Sequence, residues 1–420
     1  MRILHVNAAY WPFVGGAETY AREISERLVQ RGHQVTFVTT NATQVEHFWN
    51  PRKPHISPGR ENVGGVQVIR CRVAHLPISP WSFYLFRRLA IAISNLSVDT
   101  TPVMWAMARY MPWVPDIEAT LGDLPGPFDL VHGINVALEW PLLAAARYAK
   151  QRGLPFVITP FVHVGEAHNP HVMRHYVMRH QLESLRQGDV VFTQTGLEAD
   201  ALKQLGLEPN RLRRLGMGVN FRDLEGGVGE RFRQQHNLAG PLITFMGSVT
   251  RDKGALHLVE AMRELWDKGR QISLVIAGPP ADEFLTYYAR LPQAVKDKAL
   301  LIGPVLGQDK RDLFAATTAL AVPSRIDSFG IVYLEAWACS KPVIGAGAGG
   351  VPDVIADGED GLLVPYGDVP ALAQAIARLS DDPALAVEMG ARGRAKVERS
   401  YTWDKIFGIV ESAYEELVRH

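Results

Sequence analysis

Twelve short apolar runs rich in β-branched residues recur along this chain, mostly separated by amphipathic stretches. In the first half they lie at residues 3–7, 34–40, 66–71, 129–132, 156–159 and 190–195. In the second half they lie at residues 242–246, 273–277, 300–303, 320–323, 342–345 and 362–365. The runs are continuous rather than alternating, which suits parallel strands buried on both faces. Strands that alternate with helices build doubly wound sheets. A polar, Gly-rich stretch at 226–240 separates the two sets, so the pattern predicts two Rossmann-like domains with a hinge near residues 220–240. The expected boundaries are 1–225 and 226–400, with a helix over 403–420 that can join either domain. Residues 44–64, rich in Pro, Gly, Asn and His, read as an excursion loop.

The 420 residues suffice for two or three proper cores. Lys plus Arg and Asp plus Glu both number 44, so net charge gives no case for a nucleic-acid partner. The two cysteines, Cys71 and Cys339, are far apart and match no metal-ligand spacing. They fit a reduced, cytoplasmic compartment. No apolar stretch is long enough to span a bilayer, and the N-terminus lacks the small-residue cleavage site of a signal peptide.

The richest chemistry lies between Pro323 and Val343. Asp327 and Glu335 flank Ser328-Phe329-Gly330 and the apolar start of a helix. A buried strand is expected to feed this loop, and open α/β sheets bind ligands there, because free N–H groups at a helix N-terminus attract anions. Leu334, Ala336 and Trp337 make the helix look buried, so an unpaired Glu335 is costly unless a hydroxyl-rich partner meets it. Lys253 follows Gly247 on another strand-to-helix loop, where a cation can neutralise a diphosphate. Gly15 and Gly16 follow the first strand and open an amphipathic helix, but they form neither a G-x-G-x-x-G motif nor a P-loop. Four glycines between Gly345 and Gly350 leave the main chain open to close approach.

Histidines crowd one stretch: His163, His168, His171, His175 and His180. His171 and His175 have i, i+4 spacing, yet no H-E-x-x-H motif forms and no metal site is expected. His163 follows the strand at 156–159 and is placed at its carboxyl end, facing the expected cleft. The region from Trp81 to Trp113, with Arg87, Arg88 and Arg109, has two readings. It is either an amphipathic surface resting on a membrane or a set of helices packed on the first domain.

In this order the blocks resemble the retaining nucleotide-sugar glycosyltransferases of family 4, which have the GT-B fold. The pieces are GGAETYAREISERL at Gly15, GHQVTFVTT at Gly32, FDLVHG at Phe128, GMGVN at Gly216, DKG at Asp252, VIAGP at Val275, PSRIDSFGIVYLEAWACSKPVI at Pro323, GGVPDVI at Gly349 and DGLLVP at Asp360. The resemblance implies an α/β chain of two Rossmann-like domains facing a deep interdomain cleft. It implies a hexosyltransferase that moves sugar from a UDP- or GDP-linked donor to an acceptor hydroxyl of a glycan, lipid or small metabolite. Neither cofactor nor metal is implied. The first domain would hold the acceptor and the second the donor.

By the same resemblance Glu335, second acid of the Glu-x7-Glu motif, binds the ribose, and Asp327 holds hydroxyls of the donor sugar. Backbone N–H groups near Phe329, Gly330, Ile331 and Val332 meet the sugar and diphosphate. Lys253 stabilises the leaving diphosphate, Gly15 and Gly16 approach its phosphates, and His163 contacts the sugar near the reaction centre. Three positions depart from the family pattern: Asp327 replaces the first Glu, Ser248 replaces an Arg, and Asp353 replaces a Glu after Val-Pro. Arg251 is the candidate substitute for the missing Arg. The shared two-domain fold leaves open a sugar-nucleotide epimerase, and the departures leave open a non-catalytic sugar-nucleotide binder. Localisation is expected to be cytoplasmic, with peripheral contact on the inner membrane face as one of the two readings of the Trp81–Trp113 region.

Overall fold

A computed structural model describes every residue except 167, 168, 170 and 420. His168 therefore lies outside the described residues. The chain divides into two compact units. The first comprises Met1–Val162, His171–Leu215 and Phe407–His420, and the second His163–Pro170 and Gly216–Ile406. In this division the second segment of the first unit ends at Leu215. Val219 N–H donates to the Tyr401 carbonyl at 3.0 Å, and Gly218 lies against Trp403. These contacts tie Gly218 and Val219 to the second unit.

The first unit is built on β1 (Arg2–Val6), β2 (Gln34–Thr40), β3 (Gly59–Val63), β4 (Val66–Cys71), β5 (Leu130–Ile134), β6 (Phe156–Thr159), β7 (Val190–Thr193) and β8 (Leu212–Arg214). They form one sheet in the order β3-β4-β2-β1-β5-β6-β7-β8. All pairings are parallel except β3 with β4. Part of the expected excursion loop is thus strand. β3 and β4 close across Gly64-Gly65, both at positive φ, which matches the twist of a two-residue hairpin. The apolar signal missed β3 because most of this edge strand is exposed. The first helix of the unit is α1 (Gly16–Gln30), followed after β4 by α2 (Trp81–Ser94) and α3 (Thr101–Ala108).

The second unit carries β9 (Leu242–Met246), β10 (Ser273–Ala277), β11 (Ala299–Gly303), β12 (Ala319–Val322), β13 (Val343–Ala346) and β14 (Gly361–Val364). Its order is β11-β10-β9-β12-β13-β14, and every pairing is parallel. Ile243, Phe245, Val275, Leu320 and Ile344 have no exposed surface, as strands sandwiched between two helical layers require. The strand order reverses beside β1 in one sheet and beside β9 in the other. Ligands of open α/β sheets bind at the carboxyl ends of the strands flanking such a reversal. No helix among the described residues is long and apolar enough to cross a membrane.

Candidate donor site

In the second unit β9 and β12 are neighbours at the reversal, and their carboxyl ends carry the loops with Lys253 and Asp327. Gly254 holds φ +82°, and a Cβ there would lie 2.3 Å from the Pro323 carbonyl. The β9 loop therefore rests directly on the end of β12. This approach brings Lys253 Nζ to 2.5 Å from Asp327 Oδ1. The pair is largely shielded, with side-chain exposures of 22% and 13%. Asp327 Oδ2 is buried and has no hydrogen-bond partner among the described residues. Burial pushes the Asp327 carboxyl up, but the Lys253 charge and hydrogen bond, helped by the Ser324 hydroxyl, outweigh it and the pKa ends below the ordinary carboxylate value.

His163 belongs to the same unit. Burial, followed by the nearby Lys253 charge, pushes its imidazole down to about 4, against the opposing pull of Asp327. It is therefore a neutral ring at physiological pH. The Gly-rich loop after β13 closes over the Asp327 main chain. Gly350 N–H donates to the Asp327 carbonyl at 2.8 Å, and Gly349 N–H donates to the Gly165 carbonyl at 2.8 Å. A Cβ on Gly349 would stand 2.4 Å from the Asp327 carbonyl oxygen. What approaches these two glycines closely is therefore the protein's own backbone.

The helix Ile331–Ala338 starts from Gly330. As its first two residues, Ile331 and Val332 have no intrahelical acceptor for their N–H groups. Phe329 is buried, its ring edge-on to Tyr401. Glu335 sits one turn into the helix and is paired: Lys310, from the helix Gly307–Ala316, reaches its Oε1 at 2.6 Å. The expectation of a costly unpaired Glu335 is corrected by this lysine, which sits on an ordinary amphipathic helix and gave no sequence signal. A second cation also went unnoticed. Arg325 donates to Asp252 at 2.8 and 3.0 Å, reaches Glu166 at 3.4 Å, and stacks over Tyr366. Its position two residues before Asp327 was the available clue.

Arg251 makes other contacts. Its N–H donates to Glu283 at 2.9 Å, and it helps line a separate cavity of about 440 Å³ with Arg263, Arg290 and Tyr287. No hydrogen bond or ion pair among the described residues joins its side chain to Lys253 or Asp327.

Gly15 and Gly16 belong to the first unit, where Gly15 precedes α1. The Glu18 carboxyl folds back so far that its Oε2 lies 2.2 Å from where a Gly15 Cβ would stand. Glu18 is only 5% exposed, and burial pushes its carboxyl up to about 7, against hydrogen bonds from its own backbone and Asn7. His180 pairs with Glu139 at 2.6 Å in the same unit, and Glu139 also accepts from Arg87. Among the described residues no cluster of metal-ligating side chains could hold an ion.

Both units have counterparts among known proteins. The family described as glycosyl transferases group 1 matches residues 229–396, and the glycosyl transferase 4-like domain matches residues 15–218. A D-inositol 3-phosphate glycosyltransferase of Acidothermus cellulolyticus is 30% identical over 96% of this chain and 86% of its own length. An alpha-maltose-1-phosphate synthase of Mycolicibacterium smegmatis is 36% identical, but over only 40% of this chain and 46% of its own length. Among solved structures, HepE of Anabaena in complex with UDP-glucose superposes with a TM-score of 0.70. It is 16% identical, over 99% of this chain and all of that one. The shared fold is GT-B.

Proposed function

The chain belongs to the group 1 glycosyltransferases, and from there we propose that it moves a hexose-type sugar from a UDP- or GDP-linked donor to an acceptor hydroxyl with retention at the anomeric carbon. The observation that carries this reading is the Lys253–Asp327 pair at the reversal of the second sheet, with one buried Asp327 oxygen lacking a partner. A buried acceptor of this kind fits a sugar hydroxyl. UDP-glucose in the HepE complex supports a nucleotide-sugar donor. The phosphorylated polyol and sugar in the relatives' names support a hydroxylic acceptor, whether on a glycan, a lipid or a small metabolite.

Without ligand, Lys253 and Asp327 neutralise each other. Donor binding exchanges partners: Lys253 turns to the diphosphate, and Asp327 accepts from sugar hydroxyls. As the bond from the anomeric carbon to the diphosphate breaks, negative charge grows on the leaving oxygen and Lys253 stabilises it. The acceptor oxygen bonds to the anomeric carbon on the same face, and its proton passes to the leaving diphosphate. The N–H groups of Ile331 and Val332 offer further stabilisation to the phosphates. Neutral His163 hydrogen-bonds the sugar. Glu335 exchanges Lys310 for ribose hydroxyls. Lys253 and the helix terminus supply the positive field that a divalent cation would otherwise provide, so turnover is expected to survive EDTA. Loss of activity in EDTA, restored by a divalent ion, would overturn that part.

Lys253→Ala should lower kcat/KM by roughly two orders of magnitude, about 3 kcal/mol of transition-state stabilisation. Circular dichroism should show the fold retained, and Lys253→Ala turning over like wild type would remove Lys253 from the chemistry. The cytoplasm is the proposed compartment, a placement supported by the free thiols of Cys71 and Cys339.

A further inference from the structure

The three most exposed large apolar side chains among the described residues lie within one short segment. Ile78 is 84%, Trp81 76% and Leu85 71% exposed. Trp81 and Leu85 belong to α2, where Tyr84 and Leu89 are also exposed, and Leu96 follows beyond its end. Positions 81, 84, 85 and 89 share one helical face. The opposite face is firmly held. Ala90 and Ser94 are buried, Arg87 donates to Glu139, and its other guanidinium nitrogen donates to the His175 carbonyl at 2.9 Å. Trp49 stacks on Phe83 with ring centroids 5.4 Å apart. The helix is thus fixed to the unit along its inner side and presents an uncovered apolar face outward. Contiguous exposed apolar surface marks an interaction site.

Charge selects the occupant. Residues 73–98 contain no Asp or Glu, and Arg88 is exposed on the same face between Leu85 and Leu89. The carboxylate that acts on this face from a neighbouring element is Glu46, near Tyr84. A second copy docking across a two-fold through α2 would set Arg88 near its own equivalent, with no carboxylate supplied by α2 itself. An anionic lipid surface fits the exposed apolar side chains, Arg88 and the acid-free segment. Leu85 and Leu89 enter the acyl boundary, Trp81 and Tyr84 sit at headgroup level, and Arg88 pairs with phosphate. We propose that α2 docks the first unit on a bilayer bearing anionic headgroups. The inference deepens the glycosyltransferase reading by favouring an acceptor held at a membrane surface.

Co-flotation with vesicles tests it, using the full chain and phosphatidylcholine with or without phosphatidylglycerol. Wild type should float with the anionic vesicles. Leu85→Glu should lower the partition coefficient by at least about tenfold, and Arg88→Glu should weaken binding to anionic vesicles alone, both with an unchanged melting temperature. Wild type that stays unbound, or Leu85→Glu that binds as wild type does, overturns the proposal. So does a dimer in solution that Leu85→Glu dissociates without any vesicle binding by the wild type. Lys253→Ala should still float, so failure of the catalytic reading and failure of the docking reading give different results.

Discussion

Glu18 shows how much one side chain can respond to its surroundings. Its folded pKa of about 7 stands above the ordinary value of 4.5, because burial disfavours the carboxylate. An acid whose folded pKa is raised contributes stability that is complete below about pH 4.5. That contribution is lost as pH rises through about 7. Over this span wild type should lose about 3 kcal/mol relative to Glu18→Gln, which does not titrate. Urea denaturation of both proteins at pH 5 and pH 8 measures the difference. Parallel pH profiles would show that Glu18 is ionised throughout. Asp327 behaves oppositely, since Lys253 brings its pKa down despite burial. The two carboxyls differ in a nearby cation more than in depth.

At the scale of elements, the strand-to-helix loops place the chemistry, and glycines let them touch. Gly254 is the critical one, combining positive φ with contact against the Pro323 carbonyl. Gly254→Ala should push the β9 loop away from β12 and part Lys253 from Asp327. The strained backbone alone costs on the order of 1–3 kcal/mol. Lower melting temperature and weaker donor binding are both expected. Gly408, inside the last helix Trp403–Arg419, has no positive φ, and nothing lies within 4 Å of where its Cβ would stand. Gly408→Ala should raise stability by roughly 0.5–1 kcal/mol, the helix-propensity difference. Equal effects from the two substitutions would mean that loop contact does not position the site.

At the scale of the molecule, a buried polar chain joins distant parts of the sequence within the first unit. Tyr414 Oη lies 3.0 Å from His5 Nε2 on β1 and 2.5 Å from His132 Nδ1 on β5. His5 also meets Ser25 at 2.8 Å, and His132 meets Thr159 at 2.8 Å. All five residues have no exposed surface. Burial holds both imidazoles neutral, His5 at about 3 and His132 well below its usual value. The end of the chain is therefore fastened to the centre of the first sheet. Tyr414→Phe removes one hydroxyl and leaves two buried ring nitrogens without it, at a cost of about 1–3 kcal/mol. A thermal or urea transition that does not shift would show that the hydroxyl contributes nothing to holding the last helix.

The amino-acid sequence by itself determined the architecture of each unit. Short continuous apolar runs rich in β-branched residues suit strands covered on both faces, and this physics is local enough to read from one chain. It missed β3 and β8, where an edge position or a short length removes the apolar signal. The candidate residues at strand ends were legible for the same reason, since the loops follow directly from the strands. Their partners were not. Lys310 against Glu335, Arg325 against Asp252, and Tyr414 between two histidines join residues far apart in sequence, and no periodicity encodes such pairs. Only the tertiary structure decided which cation neutralises which carboxylate, which glycines yield to backbone, and which face of α2 stays uncovered. Ion pairs, burial and exposure depend on distances that exist only after the chain has closed on itself.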